Sequence, residues 1–163
     1  MKASIIIPTY NYAHYVGRAI ESVMNQSYHK ELIELIVIDD GSTDNTAAVI
    51  KDCQLHFPIQ YHYQHNAGKA VATQLGISLA NGDIIFTLDA DDWFLPGKIA
   101  DTVAIFQQYP QVVHVASAAR IQWADGGVAK TEPVPSWLLS QCNNGRQVLQ
   151  FFFEHNMLFG GGS

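Results

Sequence analysis

Apolar residues fall into short continuous runs, separated by stretches where they recur every three to four positions. Ala3 to Ile7 is the first run. It predicts a buried strand that ends at Pro8, which has no N–H to donate. From Tyr12 or Ala13 to Gln26 the spacing is helical, with Val16, Ile20, Val23 and Ser27 on one face and Ala19 and Met24 beside it. Leu35-Ile36-Val37-Ile38 predicts a second strand, and Asp39-Asp40-Gly41 ends it. Ser42 or Thr43 then caps a helix to about Gln54, with Asp44 favouring its positive end. Ile59 to His62 alternates as a third strand, and Asn66-Ala67-Gly68 turns into a helix from Lys69 to Ala80 whose apolar content is Val71, Leu75, Ile77 and Leu79. After the Asn81-Gly82-Asp83 turn, Ile84 to Leu88 reads as a strand apolar on both faces. Pro96 sits in the first turn of a helix reaching Gln108, with Ile99, Val103 and Phe106 on its apolar face, and Val112 to Ala116 is a fifth strand.

Strand and helix alternating four times, followed by another strand, predict an α/β fold. Three layers are expected: helices, a mostly parallel sheet, helices. The remainder is less regular. Gln122 to Ser136 predicts a loop or hairpin, Val148 to Phe153 a helical or half-buried segment, and Asn156 to Gly160 the start of another strand.

Length and charge narrow the function. A chain of 163 residues, 48% of them hydrophobic, suffices for one domain or most of one. Nine basic against fifteen acidic residues give a net charge of −6, which disfavours nucleic acid as a partner. Cys53 and Cys142 make no disulfide framework and no metal-site spacing. The first apolar run is too short for a signal peptide, and no stretch reaches membrane-span length. The expected location is cytoplasmic, with membrane association only through further chain.

In an open parallel sheet, ligands bind beyond the carboxyl ends of the strands. Thr9-Tyr10-Asn11, Asp39-Asp40-Gly41-Ser42 and Asp89-Ala90-Asp91-Asp92 follow three of the strands, and Asn66, Gly68 and Lys69 open the helix after the other. Carboxylates gathered this way repel unless a cation or hydrogen-bond donors compensate. A hard divalent ion, Mg²⁺ or Mn²⁺, would meet that need and bridge the acidic edge to a diphosphate. Asp89 and Asp91 share one ligand only if the chain turns near Ala90. The blander alternative is helix capping, with Asp92 serving a helix from Trp93 onward. Asp39 suits either a ring N–H or hydroxyl of a ligand, or the backbone N–H groups of its own tight turn. Lys69 is either a phosphate contact or a solvated lysine. Tyr10 either stacks on a base or packs across the strand end.

A Walker phosphate loop, a dinucleotide fingerprint after the first strand and a Gly-x-Ser-x-Gly elbow are all absent. The seven histidines show no converging zinc pattern.

Taken in order, these clusters resemble the nucleotide-sugar-binding part of the family-2 glycosyltransferases. The likeness rests on Ile5-Ile6-Ile7-Pro8-Thr9-Tyr10-Asn11, Ala19-Ile20-Glu21-Ser22-Val23 with Gln26-Ser27-Tyr28, and Val37 to Asp44. It continues through Asn66-Ala67-Gly68-Lys69, Gly76-Ile77, Ala80-Asn81-Gly82-Asp83 and Leu88-Asp89-Ala90-Asp91-Asp92. The resemblance implies a GT-A fold. Residues 1–163 would be a partial catalytic domain truncated at the C-terminus, with a donor nucleotide-binding core over 3–110 and the start of the acceptor-side half over 111–163. It implies that Pro8, Thr9, Tyr10, Asn11 and Asp39 hold a base, most often uracil, and that Asn66, Gly68 and Lys69 lie near base or phosphates. Asp89 and Asp91 match the Asp-x-Asp motif. Asp91 would ligate Mg²⁺ or Mn²⁺, and Asp89 would face ribose or sugar or share the ion.

The implied activity is inverting transfer of a sugar from a nucleotide-diphosphate donor, a UDP-sugar above all, to a hydroxyl of a glycan or lipid-linked acceptor in polysaccharide or cell-envelope synthesis. Two departures stand out. Ala72-Thr73-Gln74 replaces the usual Ala-Arg-Asn, and the Glu-Asp pair that carries the base should follow the point where residue 163 falls. No catalytic residue is therefore assigned, and this chain alone is expected to be inactive. The alternatives are a nucleotide-sugar-binding module without transfer, or a nucleotidyltransferase. The latter would want a Gly-rich basic loop near the first strand.

Overall fold

The structure, a computed structural model, describes residues 1–115, 117, 119–121 and 130–132. It divides into two units, Met1–Ala104 and Ile105–Ser163. In the first, four parallel strands lie in the order β3-β2-β1-β4: β1 (Ala3–Thr9), β2 (Ile33–Asp39), β3 (Ile59–Tyr63) and β4 (Ile84–Thr87). Helices α1 (Val16–Met24), α2 (Thr46–Gln54) and α3 (Lys69–Leu79) connect them, and α4 (Lys98–Gln108) follows β4. Because all four strands are parallel, their carboxyl ends share one edge. In the second unit, β5 (Ala119–Ile121) and β6 (Lys130–Glu132) pair antiparallel; of the loop or hairpin expected over Gln122 to Ser136, only Lys130–Glu132 lies among the described residues. The segments expected over Val148–Phe153 and Asn156–Gly160 lie outside the described residues.

β1 and β2 are buried along their whole length. Their alternate residues face opposite layers. Ile6, Ile36 and Ile38 meet α3. The other face turns toward α1 and α2. Pro8 does not end β1, which runs on to Thr9 in register with Asp39. Ile6 accepts from the Leu88 amide on the β4 side, and Pro8 shares that side of β1. Pairing with β4 stops at Ile6, so the missing Pro8 N–H has no ladder bond to break.

Four further expectations change. The buried residues of α3 are Ala72 and Gly76, while Val71 and Ile77 are exposed. A Cβ on Gly76 would come within 2.3 Å of Ile6 Cγ2, so the close approach of helix to sheet selects small residues. On β4, Ile84 and Phe86 are buried but Ile85 is 45% exposed, so only one face is packed. On α1, Gln26 rather than Ser27 is the buried residue just beyond the helix. Val112 to Val115 forms no strand. Val112 closes a turn on Tyr109, and Val113 is exposed.

Candidate functional site

The sheet gathers the predicted residues as its topology requires. Pro8 and Thr9 end β1, Tyr10 and Asn11 form the exposed loop after it, and Asp39 ends β2. Asn66 and Gly68 precede α3, whose first residue is Lys69, and Asp89 and Asp91 follow β4.

Asn11 fastens the first loop to the second. It takes a positive φ of 55°, which Asn tolerates better than most residues. Its Oδ1 accepts the Thr43 amide at 2.8 Å, and its own amide donates to Ser42 Oγ at 2.9 Å. Neither Ser42 nor Thr43 caps α2. Asp44 instead accepts from the Thr46 amide and hydroxyl and from the Ala13 amide. Helix and loop are thereby locked together.

Asp39 has no exposed surface. Its Oδ1 accepts the Ser42 amide at 2.8 Å, and its Oδ2 accepts the Tyr61 hydroxyl at 2.9 Å. Burial, the hydrogen bond to Asp39 and the charge of Asp39 push the Tyr61 phenol well above its ordinary pKa. Asp40, which the sequence singled out only as part of a turn, organises the third loop. Its carboxylate accepts from Gln64 Nε2 and from the amides of Ala67 and Gly68. Gly41 between them has φ +84°, and a Cβ there would lie 2.8 Å from the Asn66 amide nitrogen. The second and third loops thus pack backbone against backbone.

The acidic motif forms the required turn, with the Asp92 amide bonded to the Asp89 carbonyl at 3.0 Å. Asp92 caps no helix, because α4 starts only at Lys98. Lys69 Nζ reaches Asp89 Oδ2 at 2.6 Å, so this lysine is paired with the motif. Asp91 is exposed. Burial, then the charges of Asp91 and Asp89, push the Asp92 carboxyl upward, and Lys69 opposes that shift. The turn carries excess negative charge. Its donor set of exposed or half-exposed carboxylates suits a hard cation completed by ligand oxygens. Among the described residues no group of three or more His, Cys, Asp or Glu is placed to hold a metal without such help.

α1 holds the chain that leaves this turn. Arg18 stacks over the Trp93 ring at 3.4 Å, and Ser22 Oγ accepts the Phe94 amide. Gln26 donates to the Leu95 carbonyl and accepts the Ile99 amide, and Ser27 donates to the Pro96 carbonyl. Sequence reasoning assigned none of these roles. The one available signal was a glutamine placed where helical spacing continues the buried face.

A parallel sheet with Asn11, Asp39, Lys69, Asp89 and Asp91 at its carboxyl edge, and an acidic turn closing β4, is the arrangement of the GT-A glycosyltransferases. S. aureus TarS 1-349, solved in complex with UDP, aligns with a TM-score of 0.64 and 22% identity, over 78% of this chain and 43% of its own. The mannosyltransferase PcManGT from Pyrobaculum calidifontis, solved with GDP-Man and Mn²⁺, aligns at 0.63 and 23% identity, over 75% and 36%. The profile described as glycosyl transferase family 2 matches residues 4–161, and the chain belongs to that family. An uncharacterized glycosyltransferase of Nostoc sp. (strain PCC 7120) is 43% identical over 109 residues, or 66% of this chain. The chain spans 33% of that relative's length.

Proposed function

We propose that this chain supplies the donor site of an inverting glycosyltransferase that uses a UDP-sugar and a divalent metal. The reading is carried by one observation: Asp89 and Asp91 sit on a tight turn at the same sheet edge as Asp39, with Lys69 already bonded to Asp89. The UDP complex of TarS and the GDP-Man and Mn²⁺ complex of PcManGT support a nucleotide-sugar and a divalent ion as the class of ligand.

In this reading the base lies over the ends of β1 and β2, against Pro8, Thr9, Tyr10, Asn11 and Asp39. Asn66, Gly68 and Lys69 flank the diphosphate. Asp91, with Asp89, would hold Mg²⁺ or Mn²⁺, and that ion when bound offsets the negative charge on the nucleotide leaving group. Lys69 adds a point charge to the same task and keeps Asp89 oriented. Transfer forms a bond from the acceptor hydroxyl oxygen to the anomeric carbon as the carbon–oxygen bond to the diphosphate breaks; the nucleoside diphosphate leaves with the electron pair, and the hydroxyl proton passes to a general base that is assigned to none of the described residues. The rigid clamps on the three loops position the donor before reaction, which reduces the entropy lost at that step.

Calorimetric titration with UDP and GDP, each with Mn²⁺ and with EDTA, tests this. UDP should bind in a metal-dependent way and more tightly than GDP. Equal affinity in EDTA would reassign the acidic turn to a structural role.

A further inference from the structure

Asp39 presents a difficulty for any ligand meant to reach it. Its carboxylate is wholly buried and each oxygen already has a donor. Each oxygen could accept a second hydrogen bond, but with no accessible surface on Asp39 an incoming N–H reaches the carboxylate only if a group covering it moves aside. The Ser42 amide is a poor candidate. It belongs to the turn through Gly41, which is pressed against the Asn66 backbone and stapled by Asn11. Tyr61 differs: it is a half-exposed side chain on β3, and rotation about its own bonds releases the hydroxyl without disturbing the sheet.

We propose that Tyr61 is the exchangeable partner of Asp39: its hydroxyl occupies the acceptor position that the ring N–H of a uracil-type base takes when the donor binds. This rests on the reading of Asp39 as the base-contacting residue. In the free chain Tyr61 satisfies a carboxylate that would otherwise be buried short of a donor, which is costly. On donor binding one hydrogen bond is exchanged for another, so the net gain at the base is small and Tyr61 sets donor affinity. Tyr61 is thus a determinant of affinity that takes no part in the chemistry.

The test compares wild type with Tyr61→Phe, which keeps the ring and removes the hydroxyl. UDP and N3-methyl-UDP, which lacks the ring N–H, are titrated in Mn²⁺ well below both melting temperatures. The expected result is that Tyr61→Phe binds UDP roughly three- to ten-fold more tightly, the worth of one net hydrogen bond, and gains nothing for N3-methyl-UDP. A merely structural tyrosine would give unchanged or weaker UDP binding, and that outcome overturns the exchange. Wild-type chain that binds N3-methyl-UDP as well as UDP, or binds neither, removes the role of Asp39 itself and the proposal with it. Wild type that discriminates between the two while Tyr61→Phe gains nothing sinks the exchange alone.

Discussion

Lys69, the first residue of α3, and Asp89, two residues beyond β4, meet at 2.6 Å across the carboxyl edge of the sheet. The bond ties the helix that follows the third strand to the acidic turn. It also places one positive charge among the carboxylates of Asp89, Asp91 and Asp92.

That pairing separates stability from binding. Lys69 is half-exposed, and ion pairs of this kind contribute about 0–1 kcal/mol. Lys69→Ala should therefore leave thermal unfolding nearly unchanged while UDP affinity falls roughly tenfold, the size of one charge-assisted contact. Melting curves and calorimetry on the same preparation measure both.

At the opposite edge of the sheet, Glu34 is buried. It accepts from Ser4 Oγ at 2.5 Å, the Asn81 amide at 2.8 Å, Lys2 Nζ at 2.9 Å and Gln60 Nε2 at 3.1 Å. Burial raises its pKa, but the bonds from Ser4, Asn81 and Lys2 outweigh it and hold the carboxyl at about 2 against an ordinary 4.5. The folded pKa is depressed, so this stabilisation is complete above about pH 4.5 and is lost as pH falls toward 2. It amounts to about 3 kcal/mol. Glu34→Gln should lower urea stability at pH 7 by about that amount and flatten the dependence between pH 5 and 2, on the order of the window just given.

Gly41 has no substitute at φ +84°, and its Cβ would strike the Asn66 backbone. Gly41→Ala should cost about 2 kcal/mol or more in urea unfolding. It should also weaken UDP binding, because the Asn66–Gly68 loop must withdraw.

Gln26 tests the support behind the acidic turn. Gln26→Ala leaves the Ile99 amide and the Leu95 carbonyl without their side-chain partner, a loss of about 1–3 kcal/mol. Metal-dependent UDP affinity should fall several-fold, roughly in proportion to the loosened turn, while UDP binding measured in EDTA should not change. Paired titrations separate the two.

The strands were legible because β1 and β2 are apolar on both faces, a pattern few other elements share. Their ends were less so. Proline stops a strand only where its N–H is needed, and at Pro8 the neighbour had already ended. On α3, Leu75 and Leu79 pack against the core, but Val71 and Ile77 misled because the helix lies so close to the sheet that Ala72 and Gly76 make the tightest contact. Ile84 to Leu88 gave no sign that one face would stay uncovered, since that depends on what the rest of the fold lays over it. In the site, Asp89, Asp91 and Lys69 could be placed by their position after strands. Tyr61, Asp40 and Gln26 could not, because their partners lie 22, 27 and 69 residues away in sequence, for Asp39, Ala67 and Leu95 respectively.

In the proposed donor site Asp91, with Asp89, holds a divalent ion against a nucleotide diphosphate. Electron paramagnetic resonance of Mn²⁺ measures it most directly, because the free ion's six-line signal is lost on binding. With UDP present the wild-type chain should take up one Mn²⁺ per chain, and Asp91→Ala should leave the signal of the Mn²⁺–UDP control. Uptake by Asp91→Ala equal to that of wild type would contradict the account.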